Sequence, residues 1–269
     1  MTSYAEVIGD PIAHSKSPLI HGFWLDALGI DAEYRRCHVR PDELAGYFES
    51  RRTDPSWRGC NVTVPHKEAA LAHVPDPGGI RATIGAINTV FRDESGGIAG
   101  TNTDAAGFWS PISALDLSGK PVVVVGAGGA ARAVLFALSR VGVGPVTILN
   151  RTPLKAAGLL AGFGLKGAVA PLDSPLPPAA LLVNASVLGM TGQPPLELDL
   201  SPLPDDAIVY DIVYAPLQTA LLRAAEDRAL ETVDGLEMLI GQAALAFELF
   251  FDAEPPRDRD DELRALLTA

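Results

Sequence analysis

Pro121-Val122-Val123-Val124-Val125-Gly126-Ala127-Gly128-Gly129-Ala130-Ala131-Arg132-Ala133 reads as a strand, a tight turn and the start of a helix. Four consecutive valines leave no polar face, as in a parallel strand buried on both sides. The turn fits the dinucleotide fingerprint in its G-x-G-x-x-A form. Gly126 permits the tight turn, Gly128 lets backbone amides approach a pyrophosphate, and Ala131 lets helix pack closely on strand. A second strand at Val146–Asn150 follows the helix, so the stretch predicts a βαβ unit that holds a dinucleotide.

The end of that second strand indicates which dinucleotide. Enzymes using NAD place an acid there for the ribose 2′-hydroxyl. This chain has Asn150-Arg151-Thr152, with Lys155 beyond. Between Asp116 and Asp173 there is no Asp or Glu, while Lys120, Arg132, Arg140, Arg151, Lys155 and Lys166 all fall in that interval. Arg151 and Lys155 suit a 2′-phosphate, which an acid would repel. The expected cofactor is therefore NADP(H), although two exposed cations at a strand end remain the simpler structural reading.

Working outward, strand and helix alternate along the chain, which predicts parallel sheets covered by helices. Residues 4–8 read as a strand. A helix then begins near Pro18, with Leu19, Ile20, Phe23, Trp24 and Leu28 at helical spacing, and Gly29 stops it. Residues 32–39 read as a strand, Pro41-Asp42-Glu43 as the entry to a helix, and 57–64 as another strand. Residues 84–92 and 98–101 form a candidate hairpin across Asp93-Glu94-Ser95-Gly96-Gly97. Gly and Pro thicken over residues 158–178, which read as loop-rich; residues 236–250 read as a long helix, and the chain beyond Asp252 as a fraying end.

The segment Gly59-Cys60-Asn61-Val62-Thr63-Val64-Pro65-His66-Lys67 carries the densest chemistry. A β-branched strand running into Pro65 predicts a helix opening there. That puts Asn61 and Thr63 near a strand end and Lys67 in the first helical turn. A lysine at the positive end of a helix loses preference for its charged form, which suits proton transfer near neutrality. A surface lysine on an amphipathic helix is the plainer alternative. Gln242, on the long helix, points toward an apolar face and must find partners.

The balance of the composition excludes other classes. The chain has 269 residues, enough for one large domain or two medium ones, and 48% of them are hydrophobic. Its net charge of −12, from 21 basic and 33 acidic residues, argues against a nucleic-acid partner. Met1-Thr2-Ser3-Tyr4-Ala5-Glu6 shows no secretory signal, and no apolar run approaches a membrane span, so the expectation is a cytoplasmic protein with no membrane partner. Cys37 and Cys60 form no metal spacing, nor do His14, His21, His38, His66 and His73; no metal is expected.

Taken together, these segments resemble the shikimate dehydrogenase family, with its quinate/shikimate relatives, over nearly the whole chain. Ser15-Lys16-Ser17-Pro18 is similar to the family's substrate-carboxylate motif, and Asn61-Val62-Thr63-Val64-Pro65-His66-Lys67 to its catalytic-lysine segment. Gly85-Ala86-Ile87-Asn88-Thr89 resembles its second asparagine segment. Gly100-Thr101-Asn102-Thr103-Asp104 resembles its catalytic-aspartate segment. Residues 126–133 and Asn150-Arg151-Thr152 resemble its NADP site. Tyr214 and the run from Asp234-Gly235-Leu236 to Gln242-Ala243 complete the set. Glu237 stands where a small residue is expected and Gly22 where Asn is common. The stretch Val187-Leu188-Gly189-Met190 resembles several branches, quinate-tolerant ones included.

The resemblance implies an α/β fold of two domains. Residues 1–102 plus 235–269 would form a substrate-binding catalytic domain with a mainly parallel sheet. Residues 103–234 would form an inserted Rossmann-like NADP-binding domain, the C-terminal helix returning to the first. It implies reversible NADPH-dependent reduction of 3-dehydroshikimate to shikimate, on the route through chorismate to aromatic amino acids, by a monomer or homodimer. Lys67 and Asp104 would be catalytic. Ser15, Ser17, Asn61, Thr63, Lys67, Asn88, Asp104, Tyr214 and Gln242 would bind substrate. Gly126, Ala127, Gly128, Gly129, Ala130, Asn150, Arg151, Thr152, Lys155, Ile212 and Gly235 would bind cofactor.

Several of these residues have structural alternatives. Ser17 can cap the helix at Pro18, Asp104 can cap the helix that follows it, and Asn88 and Gln242 can tie loops together. Two functional alternatives also stand: a quinate/shikimate dehydrogenase of broader substrate or NAD use, and a non-catalytic regulator that senses shikimate-type ligands.

Overall fold

Strand β1 (Ser3–Gly9) buries Tyr4, Ala5, Val7 and Ile8, so it needs cover on both faces and partners on both edges. The computed structural model, which describes residues 2–269, supplies both. Helix α1 (Ser17–Leu28) ends at Gly29, whose φ of 64° is the left-handed cap conformation. The chain returns as β2 (Ala32–His38), parallel to β1, then passes through α2 (Leu44–Arg52) to β3 (Trp57–Val62), parallel to β1 on its other side. The one-turn helix α3 (Ile80–Thr83) precedes β4 (Thr89–Arg92) and β5 (Ile98–Thr101).

The strand order is β2-β1-β3-β4-β5, with β3, β4 and β5 antiparallel. The sheet is thus mixed, and the expectation of a mainly parallel one holds only for β2, β1 and β3. The turn at Asp93–Gly97 is too short for a parallel crossover, and Asp93 Oδ1 closes it by accepting from the Ser95 and Gly97 amides, each at 2.9 Å. Residues 84–88, expected as strand, lie outside the ladder.

The next stretch contains α4 (Asp104–Trp109), β6 (Val122–Val125), α5 (Gly129–Val141), β7 (Val146–Asn150), α6 (Pro153–Ala156) and α7 (Leu159–Gly162). It continues through β8 (Gly167–Pro171), β9 (Leu181–Asn184), β10 (Ile208–Asp211), α8 (Ala220–Glu226) and β11 (Glu231–Val233). All pairs in this sheet are parallel, in the order β11-β10-β9-β6-β7-β8. The valines of β6 are all buried. From β6 the chain builds outward to β7 and β8, then returns to place β9 on the other edge, which creates a topological switch point.

The long helix α9 (Gly235–Phe251) and α10 (Asp260–Thr268) complete the chain. Two compact units result: residues through Thr103 with Ile240–Ala269, and Asp104–Leu239. Each has its own apolar core, around Phe48 and Trp57 in the first and around Leu182 and Val209 in the second.

Two local expectations are corrected. No helix opens at Pro65: the Val64–Pro65 bond is cis, and the next regular turn is a 3-10 helix at Ala69–Ala72. The carbonyl of Lys67, which a helix would use internally, instead accepts from the Ile87 amide at 2.8 Å. Residues 158–178, expected to be loop-rich, also hold α7 and β8. Strand β8 sits at the sheet edge, half exposed and ending in Pro171, so no alternation marks it. The end of the chain does not fray: Leu263 and Leu267, one helical turn apart, are buried on α10.

Candidate active site

The polar groups of the first unit gather where β1 and β3 end. Gly9 closes β1 so tightly against the next segment that an added Cβ would lie 2.6 Å from Thr63 Cγ2. Thr63 donates its amide to Ile8 O at 2.9 Å, which fixes the exit of β3 beside β1. Asn61, two residues earlier, is buried and Thr63 half-buried.

Ser15 and Ser17 are buried, with their hydroxyl oxygens 3.3 Å apart. Ser17 is the first residue of α1 rather than its cap, and its own amide donates to Ser15 Oγ at 3.3 Å. The loop is held from outside. Arg36 Nε and its terminal nitrogen donate to Ser15 O at 3.0 and 2.5 Å, and Lys16 Nζ donates to Leu267 O in the last turn of α10. A lysine at a helix C-terminus both satisfies a carbonyl and meets the negative end of the helix dipole.

Asn61, Asn88 and Gln242, distant in sequence, form one buried hydrogen-bonded chain. Asn61 Nδ2 donates to Thr89 Oγ1 at 3.2 Å, which donates to Asn88 Oδ1 at 3.0 Å. Asn88 Nδ2 donates to Gln242 Oε1 at 3.3 Å and to Thr103 Oγ1 at 2.9 Å. The Thr103 amide donates to Asn88 Oδ1 at 2.7 Å, and a backbone N–H can only donate, so the orientation of the Asn88 amide is fixed. Thr89, Thr103 and Tyr34, whose hydroxyl joins Asn61, were not among the expected site residues. Thr89 and Thr103 adjoin predicted residues, which is a usable signal. A lone tyrosine on a strand offers none.

Lys67 is half-buried, in the turn tied by its carbonyl to Ile87 and so carried alongside the Asn88 segment. Asp104 is buried as the first residue of α4, directly after Thr103.

In the second unit the glycine turn lies at the switch point. Gly126 has φ +108°, and a Cβ there would sit 2.9 Å from the carbonyl oxygen of Ala185, just past β9. Ala127 is half-buried, Gly128 is exposed in extended conformation at the head of α5, and no side chain caps that helix. Gly129 and Ala130 begin α5 with amides that have no intrahelical acceptor, while Ala131 is fully buried. Such a terminus favours an anion. At the end of β7, Asn150 Nδ2 donates to Thr152 O at 2.8 Å, which shapes a turn that leaves Arg151, Thr152 and Lys155 exposed.

The far side of this sheet carries a network that the sequence did not disclose. Asp211, buried at the end of β10, accepts from Thr219 Oγ1 at 2.7 Å, Asn184 Nδ2 at 2.9 Å and the Val213 amide at 3.0 Å. Burial pushes its carboxyl up to about 6, against the pull of those three hydrogen bonds. The residues after it are Ile212 and Tyr214, both half-buried. Gly235 starts α9 so close to them that a Cβ would lie 2.4 Å from Ile212 O. Among the described residues no group of three His, Cys, Asp or Glu could hold a metal ion, and no helix is long and apolar enough to cross a membrane.

A parallel sheet with a G-x-G-x-x-A turn at its switch point, a bare helix terminus behind it and cations at the next strand end define a Rossmann-like, NADP-type dinucleotide-binding protein. Comparison with known proteins narrows this class. The sequence model of the shikimate dehydrogenase substrate binding domain matches residues 7–90. That of shikimate / quinate 5-dehydrogenase matches residues 111–176, and that of the shikimate 5′-dehydrogenase C-terminal domain matches residues 235–260. The shikimate dehydrogenase (NADP(+)) of Sphingopyxis alaskensis is 72% identical over 266 residues, covering 99% of this chain and 97% of its own. That of Methylobacterium radiotolerans is 47% identical, covering 94% and 93%. The crystal structure of shikimate 5-dehydrogenase from Thermus thermophilus in complex with NADP(H) and shikimate has a TM-score of 0.85. It is 38% identical and covers 99% of this chain and 100% of that one. The chain belongs to the shikimate dehydrogenase family.

Proposed function

We infer that the chain catalyses the reversible NADPH-dependent reduction of 3-dehydroshikimate to shikimate, an oxidoreductase step on a CH–OH group in aromatic amino acid biosynthesis. The observation that carries this reading is the likeness, from one end of the chain to the other, to NADP(+)-linked members of the family. The composition of the site supports it. A polyhydroxylated ring acid needs many hydrogen-bonding groups and an anchor for one carboxylate, and the first unit offers a hydroxyl pair and a chain of buried amides.

In this reading residues 1–102 with 235–269 take the substrate and 103–234 the dinucleotide. Ser15 and Ser17 hold the carboxylate, while Asn61, Thr63, Asn88, Tyr214 and Gln242 hold the ring oxygens. The dinucleotide, when bound, supplies or accepts the hydride. Lys67 Nζ gives a proton to the carbonyl oxygen as negative charge develops there, and takes it back in the oxidation. Asp104 either holds the Lys67 ammonium or shares in the proton's transfer. Gly126, Ala127, Gly128, Gly129 and Ala130 present backbone to the pyrophosphate. Asn150, Arg151, Thr152 and Lys155 face the 2′-phosphorylated ribose, and Ile212 and Gly235 complete the contacts. The chain acts in the cytoplasm as a monomer or homodimer, without nucleic-acid or membrane partners, in keeping with its net charge of −12.

The test is NADPH oxidation with 3-dehydroshikimate, followed in the reverse direction by shikimate or quinate with NADP⁺ or NAD⁺. Turnover is expected to be highest with shikimate and NADP⁺. No turnover with either substrate would refute catalysis and favour a ligand sensor, and preference for quinate with NAD⁺ would assign the chain to the broader branch.

A further inference from the structure

Tyr34 lies on β2, two strands away from Asn61 on β3, yet its hydroxyl donates to Asn61 Oδ1 at 2.6 Å. The strand register explains the reach. Tyr34 stands opposite Ala5 and Asn61 opposite Val7, so both side chains leave the same face of the sheet and the phenol crosses β1. The ring is buried and stacked on His21, with centroids 3.9 Å apart and planes 3° apart. Burial lowers the His21 imidazole to about 3, so this neighbour stays neutral, and burial raises the Tyr34 phenol well above its usual range, so it keeps its proton.

The direction of this hydrogen bond is forced. The backbone carbonyl of Asn88 lies 3.4 Å from Asn61 Nδ2, and a carbonyl can only accept. A flipped amide would set its oxygen against that carbonyl, so Oδ1 must face Tyr34. The polarity then runs onward through Thr89 Oγ1 and Asn88 to Gln242 Oε1. Tyr34 is the terminal donor of a chain containing three of the amides assigned above to substrate.

We propose that Tyr34 is a positioning residue for the reaction, its hydroxyl holding in place, at the ring hydroxyls of the substrate, the Asn61 side chain whose orientation the Asn88 carbonyl sets. The proposal rests on the function inferred above. Tyr34→Phe keeps the ring and its stack on His21 and removes only the donor. Removing one neutral hydrogen bond is worth up to about tenfold. The expected result is a rise of about that size in the KM for shikimate, with kcat and the KM for NADP⁺ within about twofold of the native protein.

The discriminating measurement is the double variant. If Tyr34 acts through Asn61, adding Tyr34→Phe to Asn61→Ala produces no further rise in KM, whereas effects that multiply would show that Tyr34 does not act through Asn61. Thr89→Val cuts the same chain one link on and leaves Tyr34 intact. It should raise the shikimate KM in the same way, and it carries the test if Tyr34→Phe does not fold. A native protein without turnover refutes the functional reading and this proposal with it. Native turnover with an unchanged shikimate KM in Tyr34→Phe, or in Thr89→Val should that variant carry the test, refutes the proposal alone.

Discussion

Asp211→Asn should make the protein more stable at neutral pH, and the gain should vanish in acid. Asp211 is fully buried, and desolvation raises its carboxyl from 3.8 to about 6 even though three donors point at it. A native carboxyl that keeps its proton to a higher pH than the unfolded one binds more protons between those values, so unfolding free energy falls as pH rises through the window. A shift of that size corresponds to about 3 kcal/mol, absent below pH 3.8 and fully present above pH 6.

Asparagine has the same shape and no charge. Its oxygen can still accept from Asn184 Nδ2 and the Val213 amide, and its NH₂ can donate to Thr219 Oγ1, which already accepts from the Leu222 amide as the cap of α8. The assay is urea unfolding of the native and variant proteins from pH 4 to pH 7.5, taking the difference in free energy at each pH so that all other titrations cancel. The stability of the variant relative to native should rise across the window, most of the 3 kcal/mol appearing by pH 7. A difference independent of pH would refute the reasoning. It would mean that the three donors, not burial, set the ionisation of Asp211.

Lys67→Ala should lower turnover by about 10² to 10⁴ while leaving shikimate binding nearly intact, because the amine acts on charge that develops in the transition state; steady-state kinetics and equilibrium binding check this together. Asp104→Asn should also slow the reaction without a large fall in melting temperature, and a large fall would point instead to its place at the head of α4. Arg151→Ala should weaken NADP⁺ by about one to two powers of ten and NAD⁺ far less, since a charge-assisted hydrogen bond is worth about 1.5–3 kcal/mol. Because Arg151 is exposed, that loss should shrink as salt rises; equal weakening of both cofactors would make it a loop residue.

What was legible in the chain follows physical range. The valines of β6, Gly126 at its positive φ and the left-handed stop at Gly29 are decided by neighbours in sequence, and local pattern was enough to read them. The turn at Lys67 is not legible locally: its carbonyl is taken by the Ile87 amide, twenty residues away, and no local propensity reports that bond. The α10 pair Leu263 and Leu267 has helical spacing, but the acids and arginines that surround it mask the signal. Tyr34 and Asp211 were silent for another reason. Each matters through a partner on a different strand, Asn61 in one case and Asn184 in the other, and such a pairing exists only once the register does.

The first unit is assembled from two separate pieces of chain, and this sets an order of events on the ribosome. The aromatic patch of His21, Trp24 and Tyr34 packs against Phe247 and Phe250, and Gly59 leaves space for the Phe250 ring. Those phenylalanines are made only after the whole of Asp104–Leu239. At about 5–20 residues per second the interval is on the order of ten seconds. For that time the aromatic patch of the nascent amino-terminal piece lacks the cover of Phe247 and Phe250, while the contiguous second unit has every residue it needs to fold. Synthesis is thus a stage at which apolar surface of the first unit lies open to chaperones and to aggregation.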